Sequence, residues 1–158
     1  WFTNSKFALG GVEKDLLPHL MSLFVAVAGP DFKDYSVKKF TTEQKYTLED
    51  CTGTDYGVVD KNGVYDVPDH AELTLSNGDK TFILNASWKS PFGDDIAMHF
   101  YKGGESNGES IQLGLCPESA YRKMIEDTLV HMEDGYFWNN QLDIDLWIQE
   151  LLLSLIHI

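Results

Sequence analysis

Two runs of alternating apolar and polar residues, joined through an Asn-Gly dipeptide, constrain the fold of this chain more than any other feature. Apolar side chains occupy every second position in 71–75 and again in 82–88, and Asn77-Gly78 lies between the two runs. A period of two predicts strands that bury one face, and Asn-Gly between such strands predicts a β-hairpin. The middle of the chain is therefore expected to form an antiparallel sheet around this hairpin.

Further strands are predicted on both sides of the hairpin. The segment 35–39 alternates before it, and shorter alternating runs follow at 96–100 and 111–115. Between the first strand and the hairpin, the stretch 43–62 is polar and contains several glycines, which predicts a long excursion.

Helices are predicted before and after these strands. Apolar residues recur every three or four positions through 12–28, through 117–132 and beyond Asn140. Because proline is tolerated only in a first helical turn, Pro18 places the start of the first helix near Asp15. This order predicts an α+β fold, in which a mostly antiparallel open sheet carries helices packed on one face.

The acidic composition excludes two classes of partner. The 158 residues carry 25 acidic and 12 basic side chains, a formal net charge of −13. Such a surface repels the phosphates of nucleic acids and anionic membranes, and no run of residues is long enough to span a bilayer. We therefore expect a domain that binds neither nucleic acid nor membranes.

The cysteines and histidines favour a cytoplasmic protein without a metal site. Cys51 and Cys116 lie far apart and outside any Cys-x-x-Cys pattern, which excludes a zinc ribbon and a dense disulfide framework. We favour the interpretation that both are free thiols in a reducing cytosol. A single disulfide between them is the alternative. His70 and His99 could join His19 as metal ligands, but their spacing does not favour it.

The sharpest local feature is the pair Asp15 and His19, four residues apart in the first predicted helix. Residues at this spacing share a helix face, so the carboxylate can accept a hydrogen bond from one imidazole nitrogen and raise the basicity of the other. Such an imidazole can remove a hydroxyl proton as general base. The simpler interpretation makes Asp15 a helix N-cap and His19 a half-buried histidine.

The motifs around this pair occur in a recognisable order. A Gly10-Gly11 turn precedes it, the hairpin of 69–88 follows, and the strand and glycine turn of 99–104 leads to the closing helices. In this order they resemble the C-terminal domain of the glucose–fructose oxidoreductase and inositol dehydrogenase family (Gfo/Idh/MocA). The resemblance extends to about Glu150.

The resemblance implies an NAD(P)-dependent dehydrogenase that transfers hydride to or from a secondary alcohol of a sugar or cyclitol. His19 would act as acid/base on the reacting hydroxyl, and Asp15 would orient it or share the proton. The family's catalytic lysine and its Gly-x-Gly-x-x-Gly turn belong to a nucleotide-binding half that is missing here. That half would bind NAD or NADP, so this chain alone would be inactive.

The resemblance also implies a fragment. Residues 1–150 would be the substrate-binding and dimerisation domain of a homo-oligomer formed through the sheet. The leucine-rich residues 151–158 show neither a polar cap nor a helical period, and we interpret them as a non-native tail. Two alternatives stay open: a catalytically silent family member, or an unrelated α+β binding or assembly module.

Overall fold

The computed structural model describes residues 3–8, 10–51, 60, 62–89, 96–100, 109–113 and 118–156. The chain forms two compact units. Unit 1 comprises Trp1–Trp88 and Asp143–Ile158, and unit 2 comprises Lys89–Leu142. Both units contain helices and antiparallel strands, which confirms the predicted α+β class.

The secondary structure follows the predicted order of helix, strands and helices. The helices are α1 (Ser5–Ala8), α2 (Val12–Asp15), α3 (Leu17–Ala28), α4 (Glu118–Val130) and α5 (Gly135–Ile156), with 3-10 helices at Gly29–Asp34 and Leu48–Cys51. The strands are β1 (Ser36–Glu43), β2 (His70–Ser76), β3 (Thr81–Ser87), β4 (Ile96–Phe100) and β5 (Glu109–Leu113). In unit 1, β1, β2 and β3 form an open antiparallel sheet in that order, and in unit 2, β4 pairs with β5.

The hairpin between β2 and β3 is confirmed, with a four-residue loop in place of a two-residue turn. Ser76 pairs with Thr81, and the side-chain oxygen of Asn77 accepts hydrogen bonds from two loop amides. Gly78 has a φ of 98°, a conformation that favours glycine. The length of this loop sets the register of the whole hairpin.

Strand β1 carries a bulge between Val37 and Lys39, where its register against β2 shifts. Beyond the bulge Phe40 packs against the core and pairs with Leu73, whereas Lys39 is exposed. The predicted alternation is therefore wrong past Val37, because the extra residue reverses which positions face inward.

The first long predicted helix is interrupted at Leu16 and forms α2 and α3. Pro18 lies in the first turn of α3, the part of a helix that tolerates a residue without an amide donor. Farther along α3, the ring of Phe24 lies edge-on to those of Tyr35 and Phe82. Helix α3 thus covers the inward face of the sheet, as predicted.

Gly11 allows α2 to pack closely against the chain that leads into β2. The Val12 amide donates a hydrogen bond to the Pro68 carbonyl oxygen at 2.9 Å. A Cβ atom on Gly11 would lie 1.9 Å from that same oxygen, so only glycine permits the approach. This contact places Asp15, at the end of α2, close to the end of β3.

Helix α5 begins at Gly135, earlier than the expected start near Asn140. Asp134 precedes the helix, and its side chain accepts hydrogen bonds from the amides of Tyr136 and Phe137. These bonds satisfy donors that have no partner within the helix, so Asp134 acts as the N-cap.

The C-terminal part of α5 packs into unit 1. Ile148 and Leu152 are each 3% exposed, and the Trp147 ring lies against that of Phe24. Residues 151–156 are helical, although the sequence shows no helical period there. Their interpretation as a non-native tail stays a prediction.

The apolar side of α4, in unit 2, is exposed. Four large side chains on this helix have between 56% and 65% of their surface exposed. They are Tyr121, Met124, Ile125 and Leu129. The described residues therefore place the main apolar core in unit 1, between the sheet, α3 and the end of α5.

Candidate functional site

The predicted pair, Asp15 and His19, lies at the junction of α2 and α3. Asp15 ends α2, and its Oδ2 accepts a hydrogen bond from the Trp88 indole nitrogen at 2.7 Å. His19 lies exposed in the first turn of α3, and its amide donates to the Leu16 carbonyl oxygen at 3.1 Å. No hydrogen bond joins Asp15 to His19 in the described structure, because Leu16 interrupts the helix between them. The acid/base role of the pair stays a prediction.

Trp88 anchors the Asp15 carboxylate. It follows β3 on the inward face of the sheet and packs against the cluster of Val12, Ala71 and Ala86. A half-buried indole N–H requires a hydrogen-bond acceptor. A Trp at an inward-facing strand position therefore predicts that an acceptor lies nearby. The sequence does not indicate which carboxylate is that acceptor.

A second polar cluster, absent from the sequence predictions, surrounds Asp69, whose surface is 0% exposed. It accepts hydrogen bonds from the amides of Lys45 and Tyr46 at 3.0 and 2.9 Å, from the Tyr65 hydroxyl at 3.1 Å, and from His70 Nδ1. Burial by itself raises the pKa of Asp69, but these four donors outweigh it, and the pKa lies below its ordinary value. Asp69 is therefore an ionised acceptor at neutral pH.

The cluster continues through His70 to Ser87. The two residues are paired across β2 and β3, and His70 Nε2 lies 3.0 Å from Ser87 Oγ. Because Asp69 accepts at Nδ1, the neutral imidazole carries its proton on Nδ1 and leaves Nε2 as an acceptor. Ser87 then donates to Nε2. This order of carboxylate, imidazole and hydroxyl is the one that activates a nucleophile by general-base catalysis.

Glu13 is another buried carboxylate, 4% exposed. Its Oε1 accepts a hydrogen bond from the Gly11 amide at 2.8 Å, whereas its Oε2 has no hydrogen-bond partner among the described residues. It borders a cavity of about 220 Å³. The other lining residues are Lys14, Pro18, Gln149, Leu152, Leu153 and Ile156. Glu13, Lys14 and Gln149 are the polar residues of this lining, and the other four are apolar.

The outward face of the unit-1 sheet is polar. It presents Lys39, Thr41, Glu72, Thr74 and Asn85, with Ile83 as an apolar exception. Lys39 Nζ and Glu72 Oε1 form an ion pair at 2.6 Å. A homo-oligomer formed through this face, as the resemblance implies, would therefore need polar complementarity.

Several predictions concern residues that lie outside the described ranges or of which only the backbone is described. Cys116 and the part of the excursion at 52–59 and 61 lie outside the described residues, and of Cys51 and His99 only the backbone is described. Across the described ranges, no three His, Cys, Asp or Glu side chains gather closely enough to hold a metal ion. No helix in the same ranges is long and apolar enough to cross a membrane.

Comparisons of this chain with protein families, with curated proteins and with solved structures give no match. The family resemblance therefore rests on the order of the sequence motifs alone. The function of the chain has to be proposed from those motifs and from the geometry of its polar sites.

Proposed function

We propose that the chain is the substrate-side domain of an NAD(P)-dependent oxidoreductase that transfers hydride to or from a secondary alcohol of a sugar or cyclitol. The observation that carries the proposal is the exposed His19 at the start of α3, close in the chain to an Asp15 carboxylate anchored by Trp88. The order of motifs from Gly10-Gly11 onward supports the same class.

In this mechanism His19 binds the reacting hydroxyl and takes its proton on an imidazole nitrogen. Asp15 would orient His19 or share the proton, as the resemblance implies. A bound NAD or NADP would supply the acceptor or donor of the hydride. The nucleotide-binding half would hold that cofactor, because this sequence contains no Gly-x-Gly-x-x-Gly turn. The proposal includes a cytoplasmic location and association into a homo-oligomer.

The test uses the full-length enzyme, expressed with the nucleotide-binding half that its upstream coding sequence would supply. Reduced-nicotinamide absorbance is followed against a panel of sugars and cyclitols. His19→Asn should lower kcat by about a hundredfold or more, because it removes the general base. His131→Asn is the matched control, since it makes the same substitution at a histidine to which the resemblance assigns no role, and it should leave kcat unchanged. An active His19→Asn enzyme would remove the mechanism.

A catalytically silent family member is the second candidate. The observation that favours it is that no hydrogen bond joins Asp15 to His19 among the described residues, whereas the Asp15 carboxylate accepts one from the Trp88 indole. Under this alternative the full-length wild type shows no nicotinamide-dependent turnover on any member of the panel, while isothermal titration still detects binding of a sugar or cyclitol.

A further inference from the structure

We propose that Ser87 is a nucleophile, activated through His70 and Asp69, that accepts short acyl groups from activated carboxylic esters. The site is separate from the pair Asp15 and His19. Ser87 pairs with His70 on the outward face of the sheet, whereas Asp15 lies on the face covered by α2 and α3. The proposed dehydrogenase mechanism uses none of the three residues.

The fold fixes each link of this chain of hydrogen bonds. Asp69 is fully buried and accepts hydrogen bonds from two backbone amides and the Tyr65 hydroxyl, so it cannot turn away from His70. The His70 side chain is 20% exposed and lies beside the Tyr46 ring, at 5.3 Å between centroids. The imidazole is therefore held, and the Ser87 hydroxyl can lose its proton to Nε2 without side-chain rearrangement.

The surroundings of Ser87 favour short acyl groups. The residue is half-buried at the end of β3, and its outward neighbours include the polar Asn85 and Glu72. Among the described residues, the outward strand neighbours of Ser87 offer a long apolar acyl chain little apolar cover, whereas an acetyl group needs none.

The reaction has two steps, acylation of Ser87 and hydrolysis of the acyl-serine ester, and each step forms one bond to the carbonyl carbon and breaks another. Ser87 Oγ bonds to the carbonyl carbon of the ester while its proton passes to His70 Nε2. The bond to the leaving oxygen then breaks, His70 returns the proton to that oxygen, and Ser87 carries the acyl group as an ester. Attack by water, deprotonated by His70, releases the carboxylic acid and restores the hydroxyl.

The test treats the 158-residue chain with p-nitrophenyl acetate and locates acetyl groups by peptide mass spectrometry. The wild type should carry acetyl on Ser87, and Ser87→Ala should abolish this modification. His70→Gln should slow acetylation of Ser87 by about a hundredfold. Ser22→Ala removes an exposed hydroxyl bonded to the Pro18 carbonyl oxygen, and as the matched control it should leave the rate unchanged.

Acetylation confined to lysines or to the amino terminus, with Ser87 unmodified and p-nitrophenolate released no faster than by the Ser87→Ala chain, would overturn the proposal. Equal rates for Ser87 in wild type and in a folded His70→Gln chain would do so as well, since the imidazole would then play no part. If circular dichroism shows that the His70→Gln chain is unfolded, the proposal is judged from the acetylated peptides of the wild-type chain. Ser87 must then react faster than Ser22, an ordinary exposed serine.

Discussion

At the scale of single residues, Asp69 is a side chain without exposed surface that accepts hydrogen bonds from Lys45, Tyr46, Tyr65 and His70. Burial raises its pKa, but the donors outweigh this effect and lower it from the ordinary 3.8. Such a group contributes stability that is complete above about pH 4 and is lost as the pH falls through the lowered pKa. We expect Asp69→Asn to destabilise the fold by about 1–3 kcal/mol near neutral pH, and we expect the difference to shrink in acid.

Urea unfolding, followed by tryptophan fluorescence at about pH 7 and about pH 3, measures this difference between the two chains. Asp79→Asn changes an exposed carboxylate in the hairpin loop and should alter the free energy of unfolding little at either pH. An Asp69→Asn chain as stable as the wild type near neutral pH would contradict the assignment of Asp69 as an ionised acceptor.

Between elements, the contact of α2 with the start of β2 depends on Gly11. A methyl group there would collide with the Pro68 carbonyl oxygen, so α2 must move and the hydrogen bond from the Val12 amide is strained. We expect Gly11→Ala to cost about 1–3 kcal/mol in the free energy of unfolding, the usual effect of overpacking. Thermal unfolding measures it.

Gly135→Ala is the control for this prediction. A Cβ atom at Gly135 meets nothing within 4 Å, and the residue begins α5, where alanine is the better helix former. It should leave stability unchanged or raise it slightly. Equal stability of the Gly11→Ala chain and the wild type would show that α2 is not fixed by this approach.

The elements themselves follow from the sequence, whereas their register does not. The alternation around Asn77-Gly78 predicts β2 and β3 because it is a local pattern. A two-residue turn at Asn77-Gly78 would pair His70 with Asn85, but the four-residue loop pairs it with Ser87. The cluster of Asp69, His70 and Ser87 therefore could not be predicted without the loop length.

The same limit applies to the predicted dyad. A spacing of four places Asp15 and His19 together only on an uninterrupted helix. Pro18 is visible in the sequence and indicates a helix start, but the break at Leu16 and the indole of Trp88 depend on how α2 meets the sheet. The sequence thus nominates both residues as a candidate pair but does not predict their mutual geometry.

Over the whole molecule, contacts distant in sequence decide which residues belong together. Unit 1 combines Trp1–Trp88 with Asp143–Ile158, so the end of α5 packs with elements from the first half of the chain. Trp147, for example, lies against Phe24. Local periodicity carries no information about such a contact. The prediction of a tail at 151–158 rests on the missing polar cap and helical period, which are local features of the same kind.

Leu152 tests that assignment. It is 3% exposed in the unit-1 core, whereas its neighbour Leu153 is 45% exposed. If the end of α5 is part of the fold, Leu152→Ala should lower the free energy of unfolding by about 2–5 kcal/mol, because it leaves a cavity in the core. Leu153→Ala should change it little. Urea unfolding compares the two, and equal, negligible losses would support 1–150 as the extent of the domain.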